Sequence, residues 1–305
     1  MRCGLSVATI AALSLFALHA HAEDCHVTEA FSVGGKKVFN IGDGALAFAS
    51  GFAVDMDGAP NAYHRLGRVE GKALDTLCNA GRAWPGDGRP PYHGSAKGRC
   101  GEFLQDVAAA EAAGWTGPTT IEWYGLATKD KKLRVPYVQQ SGPTKGFYVS
   151  TTALQDPENF PDAGDVRRYL DARTVPFIVV PKGSPFIRKG EAGLRDLVVS
   201  YNPRNHKVSY GVVGDLGPAD MLGEVSIAYA NALREGAGPM PVDRMTHETV
   251  GGLAISQPVV TVVFRGVRLE PPYTPEAVVS AARTQFDQWG GKQRINACAK
   301  SLGVS

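Results

Sequence analysis

The chain has no CxxC pair, no GxSxG elbow, no Asp/Asn/Gly run of an EF-hand loop and no Lys/Arg run along one helical face. These absences remove the common zinc spacings, the serine-hydrolase nucleophile turn, an EF-hand calcium loop and a nucleic-acid-binding stripe. Charge of either sign is scarce in net terms: 32 Lys and Arg face 30 Asp and Glu, leaving +2. There is no internal repeat and no low-complexity linker. Only one apolar run is long, Leu5 through Leu18. It is shorter than the roughly 20 residues a membrane helix needs, and no later segment is a candidate span.

That run follows Met1 and Arg2 and is followed by Ala20-His21-Ala22 and then Glu23-Asp24. A basic start, an apolar core and a small-x-small site form a secretory signal peptide, with cleavage expected after Ala22; the rival is an uncleaved anchor. The expected division is therefore 1–22 signal peptide and 23–305 one catalytic domain, with its core at roughly 50–270. Export would place the mature protein outside the cell or in a periplasm. Cleavage removes Cys3 and leaves Cys25, Cys78, Cys100 and Cys298. Four cysteines in an exported chain point to two disulfides, with three pairings open. Cys78 with Cys100 is favoured because it closes a Gly- and Pro-rich loop, and Cys25 with Cys298 then ties the two chain ends.

With 36 Gly and 20 Pro, the chain reads as β-rich and loop-rich, mainly β with flanking helices (α+β). Strands are expected over 119–124, 134–139, 146–151, 175–181, 197–201, 206–213 and 259–264. Asn202-Pro-Arg-Asn205 marks a hairpin turn, and Asp55 to Pro60 another turn. Trp84 to Arg99 reads as loop. Helices are expected over 103–113 and 275–289, the second starting at Pro275 with Val278, Ala281, Ala282, Phe286 and Trp289 near one face.

The densest stretch runs from Tyr210 to Ala230. A strand runs out at Gly214 with Asp215 at its end. A Gly-Pro loop follows, and Gly223 delivers Glu224 at the expected start of a helix. Two carboxylates returned towards each other beside glycines form the minimal equipment for glycoside hydrolysis. The plainer account makes Asp215 a turn residue and Glu224 a helix-start residue.

Gly214-Asp215 followed by Gly223-Glu224-Val-Ser-Ile-Ala resembles the signature of the family 75 chitosanases. Asp55-Met-Asp-Gly58, Leu170-Asp-Ala-Arg-Thr-Val-Pro-Phe-Ile-Val-Val-Pro181 and a late His247 resemble further elements of that family. The resemblance covers roughly Asp55 to Gly266, and the loop between Asp215 and Glu224 is shorter than in the fungal members. It implies an endo-acting hydrolase that cleaves β-1,4 linkages in chitosan with inversion, Glu224 as general acid and Asp215 as base. The same segment looks like a double-psi β-barrel pattern. A peptidoglycan-directed enzyme and a non-catalytic glycan-binding protein are the alternatives.

Asp55, Asp57, Trp84 and His247 are the candidate substrate-binding residues. Tyr63 and His64 are expected in a solvated loop, and Trp115, Trp123 and Tyr124 in the core. No cofactor or metal is expected. The partner is an amino-sugar polysaccharide rather than nucleic acid, the mature protein has no membrane span, and it acts as a monomer.

Overall fold

The computed structural model describes residues 25–66, 73–132, 134–236, 238 and 240–304; the expected signal peptide lies outside them. The strands are β1 (Thr28–Val33), β2 (Lys36–Asn40), β3 (Ala45–Asp55), β4 (Gly81–Trp84), β5 (Tyr92–His93), β6 (Thr120–Trp123), β7 (Phe177–Pro181), β8 (Asp196–Asn202), β9 (Lys207–Gly217), β10 (Glu224–Ser226) and β11 (Ile255–Arg268). The helices are α1 (Cys100–Ala112), α2 (Pro185–Arg188), α3 (Ile227–Ala232), α4 (His247–Gly251), α5 (Pro275–Trp289) and α6 (Gly291–Ser301).

Six strands close into a barrel in the order β3-β10-β7-β9-β8-β11, with β11 pairing back onto β3. β1 and β2 extend the sheet beyond β3. Two pairs, β3–β10 and β7–β9, are parallel, and the other barrel pairs are antiparallel. Closure removes the open edges that a long apolar strand such as β11 would otherwise present.

Alternation along β3 gives the wall two apolar sides. Leu46, Phe48 and Phe52 join the large core cluster, whereas Ala45 and Ala47 join a second cluster with Val260, Val262 and Phe264. The second cluster includes Phe286 and Trp289 of α5 and Ile295 of α6. These helices therefore cover the outer wall, and the alanines let them approach. The α5 boundaries are the expected ones: Thr274 caps Ala277 N–H, Pro275 opens the first turn, and Gly290 closes the helix at φ 116°.

A second, three-stranded sheet has the order β5-β4-β6. Its inner face, with Ala83 and Ile121, packs with Phe103 and Val107 of α1 in the same cluster as the barrel core. Cys78–Cys100 joins the short turn Leu77–Ala80 to α1, and Cys25–Cys298 joins the chain start to α6, as expected. Among the described residues, no helix is long and apolar enough to cross a membrane.

Four expectations need correction. Residues 134–139 and 146–151 form single bridges rather than strands, Thr128 with Pro136 and Val138 with Tyr148 among them. Pro136 has no N–H to extend a ladder, and Gly146 turns the chain at φ 90°. Trp84 belongs to β4, not to a loop. Asp215 lies inside β9, not at its end. Glu224 lies on β10, and the helix that follows is capped by Ser226, whose side chain accepts from Tyr229 N–H.

Candidate functional site

Two glycines set the acids in place. Gly214 is the extra residue of a β-bulge: Ile178 pairs with Val213, but Val179 pairs with Asp215. A Cβ on Gly214 would stand 2.6 Å from Phe177 and 2.7 Å from Leu170, so the bulge needs glycine. The bulge turns Asp215 to the face it would otherwise miss, because a one-residue slip reverses side-chain direction. Gly223 has φ 103°, and a Cβ there would meet Gly51 O at 2.3 Å. Glycine thus lets β10 lie against β3 and deliver Glu224 into the sheet.

The register then aligns the acids. Glu224 pairs with Ala53 on one side and Val179 on the other, and Val179 pairs with Asp215. Paired residues on adjacent strands share a face. Asp55 is two residues beyond Ala53 and faces the same way, on the β3 side that carries Ala45 and Ala47. Asp55, Glu224 and Asp215 therefore lie on the outer wall of the barrel, with Val179 buried between the last two. The Glu224 chain leans across Val179: a Cβ placed on Gly217 would be 2.9 Å from Glu224 Oε2. Gly217 is two residues past Asp215 on β9, so the Glu224 side chain reaches towards the strand that carries Asp215.

Asp215 Oδ1 accepts from Leu216 N–H at 2.7 Å and Ala153 N–H at 2.8 Å. Asp55 Oδ1 accepts from Asp57 N–H at 2.8 Å. Asp57 Oδ1 accepts from the Tyr63 hydroxyl at 2.7 Å and the Ser150 hydroxyl at 3.3 Å. Its other oxygen lies against Gly125, where a Cβ would stand 2.5 Å away. The Tyr63 hydroxyl also lies 3.3 Å from Asp75 Oδ2. Tyr63 is buried, not solvated as the sequence suggested.

Burial is the main cause that raises the proton affinity of these acids. It lifts Asp215 to about 6, against the lowering effect of its two backbone donors and Lys182. It lifts Glu224 to about 7, helped by the charges of Asp215 and Asp75. Asp55 and Asp57 are also held well above the ordinary aspartate range, by burial first and by neighbouring carboxylates next. Glu224 keeps its proton longer than Asp215 because it lacks the paired backbone donors. Its place on a strand also keeps it off a helix N-terminus, whose dipole would favour the charged form. The acids are spread along the wall, and no His/Cys/Asp/Glu trio among the described residues is grouped to hold a metal ion.

The other candidates fall in two places. His247 opens α4, and its Nδ1 lies 2.7 Å from Leu74 O. A carbonyl only accepts, so Nδ1 carries the proton there, one residue from Asp75. Trp84 is not beside the acids. It pairs with Thr120 at the start of β6, whereas Gly125, which touches Asp57, follows the other end of that strand. Asp75, Ser150 and Lys182 carry no local motif and were missed; only chain crossings bring them in. Tyr124, assigned to the core by its strand setting, is 50 % exposed. Trp115 and Trp123 do pack inside, with ring centroids 6.1 Å apart.

None of Asp55, Asp57, Asp75, Asp215 and Glu224 lines either of two cavities on the protein. One of about 310 Å³ is lined by Pro60, Leu170 and Tyr273. One of about 780 Å³ is lined by Ile227, Met240 and Val279. No family model matches this sequence, and no curated protein matches it.

Proposed function

We propose that this chain is a secreted, endo-acting glycoside hydrolase that cleaves β-1,4 linkages in chitosan with inversion. The observation that carries the proposal is the alignment of Asp215 and Glu224 on one face across a single intervening strand. Two strand spacings of roughly 4.8 Å lie between their backbones, and an inverting pair needs roughly 6.5–9.5 Å between its carboxyl groups to leave room for a water. Glu224, with the higher proton affinity, donates to the glycosidic oxygen. Asp215, pinned through one oxygen, uses the other to take a proton from water as it attacks the anomeric carbon from the opposite side. After the leaving chain departs, Asp215 gives its proton to solvent and Glu224 regains one, restoring the starting state.

The acid-rich surroundings support a cationic substrate. Asp55, Asp57 and Asp75 stand around the pair, and no salt bridge joins any of these five acids to Lys or Arg among the described residues. A protonated amine placed there would relieve their mutual repulsion. Asp55 and Asp57 are the amine-binding residues in this account, and Tyr63 and Ser150 hold Asp57 in place. Two disulfides support export. The two parallel pairs within an otherwise antiparallel barrel support a double-psi-like class.

Replacing Asp215→Asn or Glu224→Gln should each reduce release of reducing ends from soluble chitosan by about 1000-fold, with an unchanged far-ultraviolet circular dichroism spectrum. Near-normal release by either variant removes that residue from the mechanism. Anhydro-sugar ends released from peptidoglycan would move the enzyme to lytic cleavage of that polymer instead.

A further inference from the structure

The small sheet has an outward face that the hydrolytic pair does not use. Arg82, Trp84, Glu122 and His93 share it by register, because Arg82 pairs with both His93 and Glu122 and Trp84 lies two residues beyond Arg82. Tyr124 continues the same alternation along the chain. Trp84 and Tyr124 are the aromatic side chains among the exposed large hydrophobic residues described, at 42 % and 50 %. Other aromatic rings of this region, Trp115, Trp123 and Phe103, pack beneath the sheet.

The two exposed rings are held in place. The Arg82 guanidinium lies 4.8 Å from the Trp84 ring centroid, and the indole N–H donates to Glu122 Oε2 at 3.4 Å. The Tyr124 hydroxyl lies 2.8 Å from His93 Nδ1. Rings fixed before a ligand arrives lose little freedom on binding, which favours stacking. Arg82 Nε is buried and has no hydrogen-bond partner among the described residues. That nitrogen is shielded from a ligand, and the terminal guanidinium N–H groups are the Arg82 donors a ligand on this face would meet.

Charge separates this face from the acid wall. Five carboxylates, the catalytic pair among them, make no salt bridge on that wall among the described residues; here Arg82 and Arg134 stand against the single acid Glu122, which Arg134 approaches at 3.8 Å. A protonated amine is repelled by such a surface, and a neutral acetamide is not. We propose that the outward face of the small sheet binds N-acetylated sugar units of the chain, stacking them on Trp84 and Tyr124 while Arg82 donates to an acetamide oxygen. This rests on the glycan-directed reading above and deepens it: the enzyme takes a free-amine unit at the acids and acetylated units farther along, so that its substrate is partly acetylated chitosan.

The test is calorimetric binding to the full chain carrying Glu224→Gln, with the hexamer of N-acetylglucosamine and the hexamer of glucosamine as separate probes. Trp84→Ala, Tyr124→Ala and Arg82→Gln, each added to that background, should weaken the acetylated hexamer about tenfold. Arg82→Gln should leave binding of the glucosamine hexamer as tight or tighter. Thermal midpoints unchanged by the substitutions exclude misfolding. No binding of the acetylated hexamer, or binding that all three changes leave intact, overturns the proposal. Reducing-end release from chitosan by the unmodified protein decides the hydrolase separately: release without acetyl-unit binding sinks only the platform, and binding without release sinks only the hydrolase.

Discussion

Two groups of acids in this protein behave in opposite ways. On α1 and the loop before β5, Asp87 and Glu102 are held below their ordinary proton affinities by hydrogen bonds from Arg89 and Arg99. Arg89 reaches Asp87, Glu102 and Asp106 together, and Tyr92 donates to Asp106 at 2.6 Å. On the barrel wall, Asp55, Asp57, Asp215 and Glu224 are buried without such partners and are all held above their ordinary values. The first group fastens a helix to a small sheet. The second stores unfavourable charge where a reacting or cationic ligand can use it. The difference is not the residue type but whether arginine was placed beside it, which is why perturbed carboxylates mark a site better than acidic content does.

The largest expected consequence concerns stability against pH. The wall acids have folded values above their unfolded ones. Their contribution is fully present below about pH 4 and is lost as pH rises through about 6 and about 7. Urea unfolding at pH 4.5 and pH 7.5 should differ by an amount on the order of 3 kcal/mol, the lower pH being the more stable. Asp55→Asn with Asp57→Asn should flatten that slope. A slope that is unchanged in the double variant would erase the contrast between the two groups.

Removing the arginine from the other group should act with the opposite pH sense. Arg89→Met should lower stability near neutral pH, by loss of hydrogen bonds between charged groups. Because Asp87 and Glu102 have lowered values, the cost should shrink as pH falls through the ordinary carboxylate range. Chemical denaturation of the variant from pH 3 to pH 7 measures it, and a cost that grows on acidification would contradict the pairing. The smallest effect is at the join: Tyr63→Phe removes the donor to Asp57 and should cost about 1 kcal/mol. It should also raise the Asp57 titration midpoint, since that hydrogen bond lowers it, which carboxyl carbon-13 shifts would read.

The sequence made the β-rich class, the hairpin at Asn202–Asn205 and helix α5 legible, because each depends on neighbours along the chain. The barrel was legible only as a likeness of the Tyr210–Ala230 segment to a barrel pattern, and its closure was not. Closure depends on β3 meeting β11, and on a β10 of three residues that no periodicity can reveal. Asp215, Glu224, Asp55 and Asp57 were visible as acids beside glycines. The reason for those glycines was not: Gly214 makes a bulge that re-aims Asp215, and Gly223 allows a parallel pairing. Asp75 and Ser150 enter through contacts across the chain, so no spacing announced them, whereas Tyr63 lies six residues from Asp57 and only its burial was unexpected. Tyr124 was hidden by alternation, since a strand aromatic faces either core or solvent and only the packing of Trp123 decides which.

The central claim is that the barrel wall keeps a protonated glutamate beside an ionised aspartate near neutral pH. A carbon-13 titration of the Glu224 carboxyl in the intact chain tests it most directly. The account predicts a midpoint near 7 that falls when Asp215→Asn removes the neighbouring charge. A midpoint at the ordinary glutamate value, indifferent to that substitution, would contradict it.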